Sequence, residues 1–176
     1  RNISKVTVKQ YALDLEAFFR KTHGTGKVED LDIALIQPDR TVEVKIDGFA
    51  KYKPCEQEIE IPLGAGKPGV CVVNISEDDW EASTLVIRSD LELIAKSSRS
   101  EGLVFVEDMT VSQPAAGVNV LLSDGKTIFA TGMTGKDGVF RYQGEALKTP
   151  ADVRVFAVRD GHVAAQNLDL SRLKFS

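Results

Sequence analysis

The stretch Val118-Asn119-Val120-Leu121-Leu122-Ser123-Asp124-Gly125-Lys126-Thr127-Ile128-Phe129-Ala130-Thr131-Gly132-Met133-Thr134 decides the fold. Two short apolar runs flank an Asp-Gly pair, whose glycine supplies the positive φ that a tight hairpin needs. The same device recurs at Asp137-Gly138, ahead of Val139–Tyr142, and at Asp160-Gly161, between Val153–Arg159 and His162–Leu168. With Leu91–Ala95 and Leu103–Met109 upstream, seven short strands lie within residues 90–176. Little helical period interrupts them, and the pattern predicts an antiparallel β-sandwich.

Residues 1–89 repeat the theme less regularly. Ile3–Gln10, Leu31–Ile36, Val42–Ile46, Glu56–Leu63, Val70–Ile75 and Thr84–Arg88 read as strands. Between the first two, residues 14–21 form the one helical stretch. Asp14 is placed to cap it, and Leu15, Phe18 and Phe19 fall on one face at i, i+3 and i+4. A helix this short needs packing against a sheet to form. The fold expected is therefore all-β, as two consecutive antiparallel β-sandwich (immunoglobulin-like) domains: 1–89 with a short helix near 14–21, and a seven-stranded 90–176. Their boundary lies near Ser89 with no Gly/Pro/Ser linker, and their cores are expected to be separate.

Composition narrows the function classes. In 176 residues there are 22 Lys+Arg against 26 Asp+Glu, and no basic block of the kind nucleic-acid binding uses. Residues 1–89 carry net −3 and residues 90–176 net −1. No uninterrupted apolar run exceeds four residues, where a membrane helix needs about 20. Two His and two Cys are scant material for a metal centre or a thiol enzyme. No enzyme activity, catalytic residue, cofactor or metal is expected. The chain opens on Arg1 with no charged-then-apolar leader and reads as a segment of a longer protein.

Individual motifs bear this out. Cys55-Glu56-Gln57 approximates the Cys-x-Glu-Gln that closes an internal thioester, but Cys and Gln are two apart instead of three. Alternation over 55–63 puts Cys55, Gln57, Ile59, Ile61 and Leu63 on one side of a strand, with Cys55 buried. Glu56, Glu58 and Glu60 make a solvated face too linear to wrap a cation. Glu77-Asp78-Asp79 reads as a charged turn. His23 and His162 have no nucleophile beside them in sequence, and Ser89-Asp90 and Ser171 read as boundary and terminal residues. Gly24-Thr25-Gly26-Lys27 lacks the phosphate-loop frame. Asn2-Ile3-Ser4 and Asn74-Ile75-Ser76 match the N-glycosylation pattern but fall in strands. Cys55 and Cys71 are expected as free thiols, since the strand register holds them far beyond the roughly 7 Å Cα separation a disulfide allows.

Gly102-Leu103-Val104-Phe105-Val106-Glu107-Asp108-Met109, Gln113-Pro114-Ala115-Ala116-Gly117-Val118-Asn119-Val120 and Ala130-Thr131-Gly132-Met133-Thr134-Gly135-Lys136-Asp137-Gly138-Val139-Phe140 together resemble bacterial α2-macroglobulin-like proteins. Leu85–Ile94 and Pro68–Val73 are similar to the same family. Ser112-Gln113 departs from its usual Gly-Lys, and Gly135 from its common Asp. The resemblance implies two macroglobulin-like domains serving as scaffold in a protease-trapping protein. It also implies sibling domains of the parent chain as partners, proteases engaged through the full-length protein, and a periplasmic or cell-envelope location. No bait-like segment or thioester motif of the family falls in this window. The competing class is an adhesion or carbohydrate-binding sandwich module, which the 7% aromatic content and single Trp disfavour.

Overall fold

A computed structural model describes residues 3–25, 36–63, 66–98, 100–149 and 152–169. The chain divides into two compact units, Arg1–Leu13 with Gly26–Ile87, and Asp14–Thr25 with Arg88–Ser176. Among the described residues it is all-β apart from one α-helix and one 3-10 turn, with three antiparallel sheets.

The first unit is built on a sheet of order β2-β1-β3-β4, from β1 (Lys5–Ala12), β2 (Arg40–Lys45), β3 (Gly69–Glu77) and β4 (Trp80–Arg88). Register places Val6 opposite Val44 and Val8 opposite both Val42 and Ile75, so one face is a continuous apolar surface. Val6, Val8, Cys71 and Val73 are buried there, with Ile59, Ile61 and Leu63 packed on them. The expected strand Glu56–Leu63 is not one. It runs as an extended strap over this face, held by a bond from Gln10 Nε2 to the Pro62 carbonyl (3.0 Å) and without ladder pairing. Its burial still alternates, with residues 57, 59, 61 and 63 half-buried and 56, 58 and 60 exposed. Alternation requires extended backbone above a core; it does not require a paired neighbour. Asp78-Asp79 forms the β3–β4 hairpin turn, Asp78 at φ 49°. Of the expected strand Leu31–Ile36, residues 31–35 lie outside the described residues.

The second unit is a two-sheet sandwich. One sheet runs β10-β6-β5, from β5 (Leu91–Ser97), β6 (Glu101–Asp108) and β10 (Val139–Gln143), with the two-residue β7 (Gln113–Pro114) paired to β6. The other runs β12-β11-β8-β9, from β8 (Asn119–Ser123), β9 (Ile128–Met133), β11 (Asp152–Arg159) and β12 (His162–Asp169). Leu91, Leu93, Val104, Val106, Val118, Val120, Leu122, Val153 and Val155 make the core between them. All seven strands expected from sequence are present, while β7 and the 3-10 turn Glu145–Leu147 were not foreseen. At Asp160-Gly161 both residues take positive φ (53° and 83°), as a type I′ hairpin demands.

The helix α1 (Leu15–Thr22) begins as read, Asp14 accepting from the Ala17 N–H at 2.9 Å, and buries Leu15, Phe18 and Phe19. It belongs to the second unit, however, not to the domain 1–89 in which the sequence reading placed it. The physical reason is the outer face of β8 and β11. Leu121 and Phe156 point away from the sandwich core yet are fully buried, and Phe19 stacks on Phe156 with ring centroids 4.9 Å apart. His23 closes the helix in the left-handed region, its N–H reaching the Phe19 carbonyl, and its own carbonyl accepts from Arg154 at 3.1 Å.

Candidate functional site

The chemistry-bearing residues singled out in sequence are dispersed. Cys55 is exposed, not buried as expected, because the strap turns away from the sheet there; its thiol lies 3.3 Å from the Asp47 carbonyl. Gln57 is occupied separately, its Oε1 accepting from the Asp47 N–H. Cys71 is a free, buried thiol on the core face of β3, and burial pushes its pKa up, which suppresses the thiolate. An aromatic disulfide reagent is therefore expected to titrate one thiol (Cys55) at once and the second only in denaturant. Two fast thiols, or none, would contradict this arrangement.

Asn74 is 4% exposed, and its Nδ2 donates to Ser83 Oγ at 3.0 Å, so it is a packed core amide. Among the described residues no three His, Cys, Asp or Glu side chains converge as a metal site. Ser171, Asn2 and Gly26-Lys27 lie outside the described residues.

Two polar constellations in the second unit do come together. The first joins β5 to β12, the edge strands of opposite sheets. Ser89 Oγ accepts from the Val163 N–H (3.0 Å), His162 Nδ1 from the Asp90 N–H (3.0 Å), and Gln166 Oε1 from the Ala95 N–H (2.9 Å). Side chains thus satisfy edge amides that a ladder would otherwise serve. His162 spends one ring nitrogen as an acceptor for backbone, which is a positioning task. Ser89 and His162, read separately in the sequence, both serve this junction; polar residues at alternate positions of an edge strand, His162 and Gln166, were the available signal.

The second constellation sits at the β8–β9 end. Thr134 is 5% exposed; its hydroxyl accepts from the Val118 N–H (2.9 Å) and donates to the Ala115 carbonyl (2.6 Å), tying two loops together. Elsewhere in the unit three carboxylates, on separate turns, each accept from donors of their own turn. Asp108 is held below the usual carboxylate range chiefly by the Thr110 hydroxyl, then by the Thr110 N–H and by Arg159. Asp124 is lowered by the N–H groups of Thr127 and Lys126, and Asp137 by the Val139 N–H and then Arg141. In each case the folded pKa lies below the unfolded one. The stability they contribute is complete above the ordinary Asp value near 3.9 and is lost as pH falls through the lowered values. Thermal unfolding followed from pH 5 to 2 is expected to show a falling midpoint, with a shallower slope below pH ~4 in Asp124→Asn. An unchanged slope would remove Asp124 from this set.

These groups cap, bridge and tie; none pairs a nucleophile with a base. In the first unit, a groove of about 210 Å³ opens between β1, β2 and the strap, lined by Val8, Val42, Val44, Ile59 and Ile61 with Gln10, Arg40, Glu58 and Glu60.

No family model matches the chain. Its fold is that of two solved structures of native alpha-2-macroglobulin from Escherichia coli. One spans domains NIE-MG1 and matches with a TM-score of 0.65 at 16% identity, over 97% of this chain and 85% of that one. The other spans MG0-NIE-MG1 and matches with a TM-score of 0.66 at 18% identity, over 96% of this chain and 56% of that longer one.

Proposed function

We propose that this chain is scaffold from a bacterial α2-macroglobulin-like protein, non-enzymatic in itself. Residues 1–89 would stand where the NIE domain stands, and residues 90–176 where MG1 stands, although α1 serves the second of them. The observation that carries this reading is a fold likeness over 97% of the chain. The Val104–Asp108, Pro114–Val120 and Asp137–Phe140 runs, quoted above from sequence, lie on β6, on the β7–β8 passage and on the turn into β10. The polar constellations support it, since each of them fixes strands and loops against one another. The work of such a segment is to hold sibling domains of the parent chain in place, in the periplasm or cell envelope, while the full-length protein engages proteases.

The test compares this chain with its parent protein against trypsin. The parent is expected to protect a large protein substrate while leaving cleavage of a small chromogenic peptide intact. The isolated chain is expected to leave cleavage of both substrates intact and to hydrolyse nothing. Inhibition by the chain alone, or a parent that shields no substrate, would overturn the reading.

A further inference from the structure

We propose that two copies of this chain pair through the outer face of the β10-β6-β5 sheet, packed face to face about a two-fold axis that runs across the strands. Alternation fixes what this face carries. Leu91, Leu93 and Ala95 of β5 and Val104 and Val106 of β6 are buried on the core side. Glu92, Ile94 and Lys96, with Leu103, Phe105 and Glu107, therefore lie on the other side. Register arranges them in rows. Ile94, Phe105 and Val139 stand directly opposite one another across the three strands. Lys96, Leu103 and Arg141 make the row on one flank, and Glu92 pairs with Glu107 on the other. Ile94 is 52% exposed and Leu103 36%, while Phe105 and Val139 are half-buried. An apolar row thus runs between an anionic row and a cationic one.

Charge selects a second copy as the occupant. Glu92 and Lys96 lie two residues from Ile94 in opposite directions, about 6.6 Å each way at ~3.3 Å per residue. A two-fold axis along the apolar row lays that row on itself and reverses the strands, so Glu92 of each copy meets Lys96 of the other. On β10 the same axis brings Arg141 over Asp137, which lies two residues to the other side of Val139. Arg141 already binds its own Asp137 at 3.1 Å, so this pair is shared between copies instead of created. Glu107 meets Leu103, and Glu101, one row beyond, takes the Gln143 amide at 3.5 Å and stays outside these pairs. The other in-plane two-fold, along the strands, would set Lys96 against Arg141 and is disfavoured. Sheets packed face to face keep their strands within about 30° of one another, which this arrangement satisfies.

The test is sedimentation equilibrium of the full chain from roughly 10 μM to 1 mM. A monomer–dimer equilibrium is expected with Kd on the order of 0.1 mM, since three strands offer less than the roughly 800 Å² per partner of a standard interface. Glu92→Lys and Lys96→Glu replace exposed side chains and are expected to keep the melting midpoint while each weakens dimerisation about tenfold or more. Mixed in equal amounts, the two variants are expected to recover the dimer, because each then offers the charge the other lacks. Ile94→Thr is expected to weaken it to a similar extent. Should a variant fail to fold, the unsubstituted chain decides, with the Ile94 and Val139 methyl resonances shifting as concentration rises. A chain that stays monomeric at 1 mM, a dimer indifferent to these substitutions, charge variants that remain monomeric when mixed, or methyl resonances that do not move would overturn the proposal.

Discussion

Phe19→Ala is expected to destabilise the second unit by about 3–5 kcal/mol while leaving the first nearly untouched. Phe19 is 1% exposed and stacks on Phe156, which is itself fully buried, so truncation opens a cavity under the helix and wets the outer face of β8 and β11. A loss of that size is a large part of what a domain of this length possesses. The sole tryptophan makes the assignment measurable. Trp80 lies on β4 of the first unit, so its fluorescence reports that unit, whereas amide exchange at Val120, Leu121, Val155 and Phe156 reports the other. Faster exchange at those four amides with an unshifted Trp80 transition is the expected pair. A shifted Trp80 transition with unchanged exchange would place the helix with the first unit after all.

Gly138→Ala is expected to cost at least ~3 kcal/mol, far more than a glycine-to-alanine change in an open turn. Gly138 sits at φ +70°, where an L-residue pays roughly 1–2 kcal/mol. A Cβ there would also stand 2.7 Å from the Val106 carbonyl and 2.9 Å from Pro114 Cβ, the former on backbone that cannot swing aside. Val106 is buried at the centre of β6, and its N–H donates to the Gly138 carbonyl at 2.9 Å, so movement strains the bond that joins β10 to β6. Gly48→Ala is the control, with φ +69° and nothing within 4 Å of the added carbon. Chemical denaturation of the two variants separates backbone strain, common to both, from the clash. Equal losses in the two would show that Pro114 and Val106 relax freely.

How much of this was legible depends on whether the determining contact was local. The three Asp-Gly turns, the Asp14 cap and the seven strands of the second unit follow from residues within a few positions of each other. What α1 packs against does not, since amphipathicity says that Phe18 and Phe19 are covered without saying by what. A hint was present in the uninterrupted Val120-Leu121-Leu122 and Val155-Phe156-Ala157. Three consecutive apolar residues mark strands buried on both faces, and something had to cover the second face. The strap 56–63 misled for the opposite reason, because its alternation was genuine and only the pairing was missing. Cys55 was extrapolated one step too far along that alternation, past the point where the chain leaves the core. The groove was illegible, because it joins β1 and β2 to a segment some 15 residues downstream through packing alone.

The borrowed helix also sets a timetable for synthesis. His23, at its end, contacts an arginine 131 residues further along. At translation rates of about 5–20 residues per second, Phe18 and Phe19 leave the ribosome on the order of ten seconds before their sheet exists. Contacts of such long sequence separation slow folding and lengthen the exposure of apolar surface. The newborn chain therefore passes through a period in which two adjacent phenylalanines have no sheet to cover them, and it ends only when β11 is made.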